Sequence, residues 1–266
     1  MNVFITGAAG GLGRALANEC GRRGYNIFLT DINEKGINAL KRGLERQYGV
    51  CVASKVCDLT DPQSVDELLK TVDGNGIRFD MLLNIAGVDY EGGFIGRERE
   101  KLVGIVALND IATLRITHAV LSRRRQGRHF TAVFVSSLAS MYPMPLKATY
   151  AASKRFILDF AASLRQELKG QDASVLALCP GGLATTEEAI MGIDAQGFWG
   201  DVTANPLEIV AKNTIQRALD GKGIYIPGTF NRVLAGLSGI VPRSWASALI
   251  YRRWDRAQKK WLTHAL

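Results

Sequence analysis

The sequence predicts an α/β fold: a doubly wound (Rossmann-type) parallel sheet of about seven strands, with helices on both faces, in a single domain. Apolar runs alternate with segments of helical periodicity from the first residues onward. A glycine-rich turn separates the first strand from the first helix, and no linker or internal repeat divides the 266 residues. Folds of this class bind ligands beyond the carboxyl ends of the strands.

Seven apolar runs predict the strands, and six segments of helical periodicity lie between them. Asp61 followed by Pro62 predicts a helix start, because aspartate caps helices and proline is favoured at the first helical position. The strands lie near residues 2–6, 25–30, 50–56, 79–85, 130–136, 173–178 and 223–226. The helices lie near 11–23, 33–47, 61–72, 99–124, 148–169 and 206–220. Segments 87–98 and 181–205 break the alternation, and such loops commonly carry specificity.

The turn after the first strand reads Thr6-Gly7-Ala8-Ala9-Gly10-Gly11-Leu12-Gly13. In this position, backbone N–H groups and the helix dipole can hold a pyrophosphate. The turn fits T-G-x-x-x-G-x-G through Gly7, Gly11 and Gly13, and it fits T-G-x-x-G-x-x-G equally well through Gly10. Tight turn geometry alone would also explain the glycines.

Asp31 ends the second predicted strand. Its carboxylate could accept both ribose hydroxyls of NAD and would repel the 2′-phosphate of NADP. No Arg or Lys stands at Gly10 or Ile32 to neutralise that phosphate, so NAD is favoured. Asp58 and Leu59, after the third strand, are expected at the adenine ring. Helix capping is the alternative role of both aspartates.

Ser137, Tyr150 and Lys154 carry the predicted chemistry. A phenol with a pKa near 10 needs help to exchange protons at neutral pH. Residues four apart on a helix share a face, so the ammonium of Lys154 is expected near the Tyr150 oxygen. Two unit charges about 4 Å apart at an effective dielectric of about 20 interact by roughly 4 kcal/mol, enough to lower the phenol pKa by about two units. The sequence therefore predicts Tyr150 as a general acid/base, with Ser137 donating to a substrate carbonyl.

With these residues in view, the chain resembles the classical branch of the short-chain dehydrogenase/reductase family, from about residue 2 to residue 226. The spacing between Ser137 and Tyr150 is that of the classical branch. The resemblance implies a Rossmann domain over residues 1–228, with 229–266 as a helical, basic and aromatic extension of it. It also implies a homodimer or homotetramer built on the helices around Asn109 and Tyr150.

The resemblance implies further residue roles. Asn109 would take part in a water relay, and Lys154 would also grip the nicotinamide ribose. The segment Asn84-Ile85-Ala86-Gly87 would steady the central sheet beside the cofactor, and Pro180-Gly181 with Thr185 would close over the nicotinamide. The chain departs from the family pattern at three points: Ile85 replaces an Asn, Ser140 replaces a Gly, and no glycine follows Asn109 closely.

The expected function is oxidation or reduction between CH–OH and C=O, with NAD and with NADP less favoured. Apolar residues in the segments expected around the substrate favour a bulky hydrophobic carbonyl or alcohol over a sugar phosphate, and packing against the core or a second subunit is their alternative role. These residues are Phe94, Ile95, Met141, Tyr142, Met144, Leu146, Ile190, Met191, Phe198 and Trp199. The alternative functions are a non-catalytic, dinucleotide-sensing interaction protein and a membrane-docked reductase of lipid-like substrates.

The net charge of +8 is concentrated near the C-terminus, where residues 241–266 hold six Arg/Lys against Asp255 alone. The interleaved Trp245, Tyr251, Trp254 and Trp261 would suit a weak contact with a membrane surface or a partner. A solvated helix with its aromatic residues on the core is the alternative. A second basic cluster at 123–128 indicates a solvated helix end, so no nucleic-acid partner is expected.

The cysteine and histidine pattern indicates neither a disulfide framework nor a metal site. Cys20, Cys51, Cys57 and Cys179 include no Cys-x-x-Cys pair, and the three histidines are scattered. No secretory leader is recognisable before the first strand, so a cytoplasmic location is expected.

Overall fold

The computed structural model describes residues 1–185, 190–191, 194 and 198–264. Seven strands form one parallel sheet: β1 (Asn2–Thr6), β2 (Asn26–Asp31), β3 (Val52–Val56), β4 (Met81–Asn84), β5 (Phe130–Val135), β6 (Ala173–Leu178) and β7 (Ile224–Tyr225). Their order is β3-β2-β1-β4-β5-β6-β7, and each neighbouring pair is parallel. The predicted fold class is confirmed. The strand order reverses between β1 and β4, which is where a doubly wound sheet binds its ligand.

The six helices that the periodicity predicts are present, with one interruption, and Phe198–Thr203 adds a helix within segment 181–205, where a loop is predicted. Asp61 caps α3 by accepting hydrogen bonds from the N–H groups of Gln63 and Ser64, as predicted. The helix expected over 99–124 is divided by a π-helical turn, Ala107–Ile111. The helices are α1 (Gly11–Arg22), α2 (Glu34–Tyr48), α3 (Pro62–Gly74), α4 (Arg99–Val106), α5 (Ala112–Leu121), α6 (Ala148–Glu167), α7 (Phe198–Thr203), α8 (Leu207–Leu219), α9 (Thr229–Leu237) and α10 (Arg243–His264).

The core occupies both faces of the sheet, because successive side chains of a strand point to opposite faces. On β1, Val3 and Ile5 join the cluster beneath α1, α2 and α8, whereas Phe4 joins the cluster beneath α3, α5 and α6. Phe4 stacks on Phe28 at 5.3 Å and meets the edge of Phe79 at 5.1 Å. Burial on both faces explains the continuous apolar runs of the strands.

The segment Arg99–Leu121 is long and apolar enough to cross a membrane by length and composition. Half of it is buried inside the fold, where it serves as a core helix. The basic cluster after it is paired with acids: Arg123 forms a bidentate ion pair with Asp73 at 2.9 and 2.7 Å, and Arg125 lies 3.4 Å from Asp80. These pairs agree with a solvated helix end.

The C-terminal helices leave apolar side chains in solvent. Trp245 is 74% exposed and Leu249 is 72% exposed, and Tyr251 is also exposed. The alternative that the aromatic residues of this segment pack on the core is therefore wrong for Trp245 and Tyr251. The side chains of Trp254 and Trp261 lie outside the described residues.

Candidate active site

The glycine-rich turn between β1 and α1 fits the first of the two glycine patterns. Gly7 has a φ of +62°, and a Cβ there would lie 2.8 Å from backbone atoms of the segment after β4. A Cβ on Gly11 would lie 2.8 Å from the backbone of Thr185, and one on Gly13 would lie 2.1 Å from the Gly7 carbonyl oxygen. A Cβ on Gly10 would meet only that same oxygen, at 3.4 Å. Close packing therefore requires glycine at positions 7, 11 and 13.

The amino terminus of α1 offers backbone donors to an anion. Gly10 is the N-cap residue, and no side chain in the described part of the chain caps this helix. The first N–H groups of a helix lack intrahelical partners, and the helix dipole adds positive partial charge there. The side chain of Leu12 is buried in the core, so this residue can contact a ligand only through its backbone. The arrangement fits a pyrophosphate.

Asp31 ends β2 with its carboxylate against the turn. One oxygen accepts from the N–H of Ala9 and the other from the N–H of Asn33, both at 2.9 Å. Asn33 caps α2 by accepting from the N–H of Gly36, so capping is not the role of Asp31. The guanidinium of Arg14 also reaches the turn and donates to the Ala9 carbonyl at 2.7 Å. The sequence analysis missed this cation.

Asp58 lies after β3 and does not cap the following helix either. Its carboxylate accepts from the N–H of Thr60 at 2.9 Å and from the Thr60 hydroxyl at 2.7 Å, while Asp61 caps α3. The side chain of Leu59 is buried in the core. Only the backbone of Leu59 can therefore reach a cofactor.

Thr6 ties β1 to the segment after β4. Its hydroxyl donates to Oδ1 of Asn84 at 3.0 Å and accepts from the N–H groups of Ile85 at 2.9 Å and Ala86 at 3.1 Å. A hydroxyl has one donor and two lone pairs, so these three bonds use its full capacity. The Thr6 hydroxyl is thus fully used within the protein, so the predicted contact of Thr6 with a cofactor would be made by its backbone. Thr6 and Asn84, both buried, position the turn instead.

Ser137 and Tyr150 bring two hydroxyls together beyond the carboxyl end of β5. Ser137 is extended, and its Oγ accepts from the N–H of Ala139 at 3.1 Å at the start of the 3-10 turn Leu138–Met141. The Ser137 side chain lies close enough to Tyr150 to lower the pKa of its phenol, and Tyr150 keeps part of its surface exposed. Ser140, where the family has glycine, donates to the Ser137 carbonyl at 2.6 Å. This departure therefore helps to hold the serine in place.

Lys154 lies one turn after Tyr150 on α6 and is almost fully buried. Its ammonium lies 5.6 Å from the centre of the Tyr150 ring and donates to the Val135 carbonyl at 3.0 Å. A Cβ on Gly87 would lie 3.1 Å from this Nζ. The glycine thus leaves space for the lysine to pass beneath the tyrosine.

The electrostatics of this pair differ from the sequence-based expectation. The pKa of Tyr150 is raised to about 12, chiefly by burial and next by the Asp89 carboxylate, while the neighbouring Ser137 hydroxyl and the Lys147 charge oppose the rise. Burial also lowers the pKa of Lys154 to about 8. The prediction that the phenol pKa falls below its ordinary value is therefore wrong, because desolvation disfavours the charged phenolate and outweighs the groups that lower the pKa. Tyr150 therefore holds its proton at neutral pH.

Asn109 lies in the π-helical turn and is fully buried. Its Oδ1 accepts from the N–H of Val88 at 2.9 Å, and its Nδ2 donates to the Val88 carbonyl at 3.1 Å and to the Ser153 hydroxyl at 3.0 Å. It clamps the loop after β4 and leaves no side-chain donor free, since the amide has two N–H groups. A water relay ending at Asn109 would therefore use its main-chain carbonyl.

The segment after β6 lies over the turn and the serine. The Pro180 carbonyl accepts from the N–H of Leu138 at 2.8 Å, which fastens the segment beside Ser137. A Cβ on Gly181 would lie 2.3 Å from the Thr203 carbonyl oxygen, so α7 packs closely on it. The backbone of Thr185 faces the glycine turn at the distance given above. Closure of Pro180-Gly181 and Thr185 over a nicotinamide stays a prediction.

Three charged residues that the sequence analysis passed over lie beside Tyr150. The ammonium of Lys147 is 2.5 Å from a carboxylate oxygen of Asp89 and 2.5 Å from one of Glu91. It also lies 5.6 Å from the centre of the Tyr150 ring, as far as Lys154 does. Asp89 and Lys147 are 58 positions apart, so local sequence spacing does not predict their ion pair. The available signals were two acids in the loop after β4 and a lysine three residues before Tyr150.

The predicted apolar lining is divided between solvent and core. Phe94 is 64% exposed and Ile95 is 99% exposed. Met141 packs against the core, and the Tyr142 hydroxyl donates to the Leu234 carbonyl on α9. Ile190 and Met191 are exposed, and Met144 and Leu146 are half-buried. The side chains of Phe198 and Trp199 lie outside the described residues.

Comparison with known proteins identifies the family. Residues 1–191 match the family model described as short chain dehydrogenase. The chain is 27% identical over 240 residues to a 3-oxoacyl-acyl-carrier-protein reductase of Haemophilus influenzae, which covers 88% of this chain and 97% of the relative. It is 28% identical over 177 residues to a very-long-chain 3-oxoacyl-CoA reductase of Laccaria bicolor, covering 65% of this chain. The match covers 52% of that relative, so the chain spans about half of its length.

A solved 7β-hydroxysteroid dehydrogenase superimposes with a TM-score of 0.83, covering 94% of this chain and 96% of the other. The two sequences are 18% identical, so this likeness shows the fold alone.

Proposed function

The chain belongs to the short-chain dehydrogenase family, and from that premise we propose that it interconverts a bulky hydrophobic carbonyl and its secondary alcohol with NAD. The observation that carries the proposal is the grouping of Ser137, Tyr150 and Lys154: the Ser137 side chain lies beside the Tyr150 phenol, and the Lys154 ammonium lies 5.6 Å from the centre of the tyrosine ring. This group lies at the carboxyl ends of the strands, beside a turn shaped for a pyrophosphate.

The residues present fit a nicotinamide dinucleotide. The N–H groups at the start of α1 would hold the pyrophosphate, and the carboxylate of Asp31 would hold the adenosine ribose. When bound, the nicotinamide supplies or accepts the hydride. Asp31 favours NAD, because a 2′-phosphate would meet its negative charge. Arg14 is the cation at the turn that would favour NADP, so the two side chains act in opposite directions.

The protein's own share of the reaction is proton delivery and orientation. Tyr150 is protonated at neutral pH and is therefore ready to donate to a carbonyl oxygen during reduction. The Ser137 hydroxyl would donate a second hydrogen bond to the same oxygen and stabilise its developing charge. Lys154, held by the Val135 carbonyl, places positive charge under the phenol as its proton leaves.

Kinetic assays with NADH and a panel of carbonyls test the proposal. Tyr150→Phe removes the transferable proton and should lower turnover by two orders of magnitude or more, with dinucleotide affinity nearly unchanged. Tyr25→Phe, at the opposite end of the sheet just before β2, is the matched control and should keep full turnover. Near-normal turnover of Tyr150→Phe would refute the assignment. Tight dinucleotide binding without turnover of any carbonyl would instead favour the alternative function, a non-catalytic, dinucleotide-sensing interaction protein.

The hydrophobic substrate class is supported by the exposed Phe94 and Ile95 in the loop after β4. The relatives named above act on acyl chains, as their names state, which favours the same class here. The panel should therefore contain a 3-oxoacyl thioester, a steroid ketone and a polar keto sugar. Activity confined to the sugar would contradict this part of the proposal.

We also propose a homodimer or homotetramer built on α4, α5 and α6. Exposed apolar side chains mark these helices and the π-helical turn between α4 and α5: Val103, Val106, Ile111, Leu114 and Phe156. Exposed apolar patches of this kind commonly mark subunit interfaces. A Leu114→Lys, Phe156→Lys variant should sediment as a smaller species than the wild type in analytical ultracentrifugation. An unchanged sedimentation coefficient would exclude this interface.

A weak contact of residues 229–253 with an anionic membrane surface is proposed as well. This range holds four arginines and no acidic residue, and it exposes Trp245 and Leu249. The double variant Trp245→Ser, Leu249→Ser should float less with anionic vesicles than the wild type, and equal flotation would count against docking.

The proposed location of the protein is the cytoplasm, which agrees with the buried, free thiols of Cys20, Cys57 and Cys179. Cell fractionation tests this location.

A further inference from the structure

A cluster of three charged side chains, Asp89, Glu91 and Lys147, stands beside the catalytic tyrosine. The ammonium of Lys147 is 2.5 Å from a carboxylate oxygen of each acid. Its side chain is 13% exposed, whereas those of Asp89 and Glu91 are 31% and 35% exposed. Two carboxylates against one ammonium leave an excess of negative charge in a partly desolvated place, where charges act over longer distances than in water.

The backbone carries Asp89 to the catalytic groups. Val88, immediately before it, is clamped by the amide of Asn109 through both its N–H and its carbonyl. Gly87, one residue earlier, approaches the ammonium of Lys154 so closely that a Cβ there would lie 3.1 Å from it. Asp89 therefore belongs to a backbone segment that is held beside Lys154.

The other partner, Lys147, directly follows a residue with strained backbone geometry. Leu146 has a φ of +66°, a left-handed conformation that residues with a Cβ rarely adopt. Its carbonyl accepts from the N–H of Gly92 at 2.8 Å, which joins the turn to the loop that carries Asp89 and Glu91. Strained backbone persists where the surrounding structure over-determines it, and it is frequent at functional sites.

We propose that Asp89 is a positioning residue for the catalytic pair, in which its carboxylate, anchored by Lys147, keeps both Tyr150 and Lys154 protonated and so prepares the site to donate a proton. This role rests on the proposed function, in which Tyr150 is the acid of carbonyl reduction. The ammonium of Lys147 limits the effect by neutralising part of the carboxylate's charge.

The titratable groups that face Lys154 come from three elements. Burial lowers the pKa of Lys154 to about 8, while Asp89 from the loop after β4, Asp110 from the π-helical turn and Cys179 after β6 raise it. At Tyr150, burial is the main cause of the raised pKa and Asp89 is the second. Asp89 is thus the acid that acts on both groups, and it favours the protonated form of each.

The cation and the second acid of the cluster have different effects. The charge of Lys147 lowers the pKa of Tyr150, opposing Asp89. Burial lowers the pKa of Lys147 itself, but the carboxylates of Asp89 and Glu91 outweigh it, so this ammonium stays charged. Glu91 therefore serves as an internal comparison for Asp89, because it binds the same ammonium at the same distance from the same loop.

An NMR titration of the protein with isotope-labelled lysine tests the proposal without any substrate. The Lys154 signal is assigned with Lys154→Arg. Asp89→Asn should lower the pKa of Lys154 by about one pH unit, since a nearby carboxylate is lost. Asp89→Glu keeps the charge and should preserve the pKa. Glu91→Gln is the matched control and should shift it clearly less than Asp89→Asn.

Two outcomes would overturn the proposal: an unchanged pKa of Lys154 in Asp89→Asn, or equal shifts in Asp89→Asn and Glu91→Gln. If Asp89→Asn does not fold, as judged by its thermal melting, Lys147→Met provides the test. Removing the neutralising ammonium should raise the pKa of Lys154, and a fall would contradict the proposed sign.

The pH profile of reduction gives a second readout. Asp89→Asn should move the alkaline fall of kcat/KM to lower pH by about the shift seen in the titration, with activity retained on the acidic side. An unmoved profile would count against the role of Asp89. Should the protein reduce no carbonyl at all, the proposed function fails, while the titration still decides whether Asp89 acts on Lys154.

Discussion

Removing the hydroxyl of Thr6 tests how the glycine turn is held. Thr6 and Thr30 are register partners on β1 and β2, and both are fully buried. The Thr6 hydroxyl bonds to Asn84, Ile85 and Ala86, whereas the Thr30 hydroxyl has no hydrogen-bond partner in the described part of the chain. Thr→Val exchanges a hydroxyl for a methyl of similar size. Thr6→Val and Thr30→Val therefore differ chiefly in the hydrogen bonds that they remove.

The structure gives the expected magnitudes. Each of the three bonds of Thr6 contributes about 1 kcal/mol, and the groups left without partners add a desolvation cost of about 1–3 kcal/mol for each that stays dry. We expect Thr6→Val to lower the free energy of unfolding by about 3–5 kcal/mol. Thr30→Val removes a buried hydroxyl without a partner, so its stability should stay unchanged or rise by about 1 kcal/mol.

Urea unfolding followed by circular dichroism measures both variants. A loss of about 3–5 kcal/mol is a large share of a typical stability of about 5–15 kcal/mol, so it is readily resolved. Because Thr6 holds the turn against the segment after β4, Thr6→Val should also weaken NADH binding. Equal losses of stability in Thr6→Val and Thr30→Val, or a larger loss in Thr30→Val, would refute the reasoning.

Three further predictions concern the turn, the ribose site and the buried acid of the π-helical turn. Gly13→Ala puts a Cβ 2.1 Å from a carbonyl oxygen and should weaken NADH binding at least about tenfold in a fluorescence titration, roughly 1.4 kcal/mol, whereas Gly10→Ala should bind normally; equal affinities would contradict the steric argument. Asp31→Asn keeps an acceptor oxygen but removes the charge, so the ratio of NADPH to NADH activity in steady-state kinetics should rise about tenfold, and a fall would contradict the ribose assignment. Burial raises the pKa of Asp110 from 3.8 to about 6, so folding favours its protonated form and its contribution to stability is lost as the pH rises through that range. Asp110→Asn should therefore be more stable than the wild type in urea unfolding above about pH 6 and lose the advantage near pH 4; the opposite trend would exclude this sign.

The sequence was sufficient for the elements and their class because these depend on local periodicity. Strands buried on both faces read as apolar runs, as at 2–6 and 130–136, and amphipathic helices repeat every three to four residues. Asp61 predicted the start of α3, because the hydrogen bonds of a helix cap are made within three residues. The order and spacing of Ser137 and Tyr150 likewise identified the reaction class, since the helix and strand that carry them follow from the pattern.

What the sequence could not determine depends on contacts between distant segments. Thr6 stands in the turn that is predicted to bind a pyrophosphate, but the three bonds of its hydroxyl are made to β4 and the segment after it, 78 to 80 positions away. The resemblance implies that Asn109 takes part in a water relay, but it gives no sign that the amide of Asn109 clamps a loop 21 positions away. Such bonds leave no trace in local spacing.

The acidity of the catalytic pair shows this limit most clearly. Four residues of helix suffice to place Lys154 near Tyr150, and they predict attraction between an ammonium and a phenolate. The sign of the pKa changes depends instead on burial, to which the whole fold contributes, and on Asp89 and Lys147, which the folded chain brings together. Periodicity and spacing determined which groups meet, whereas the tertiary structure decided their protonation, because desolvation and long-range charges exist only in the packed molecule.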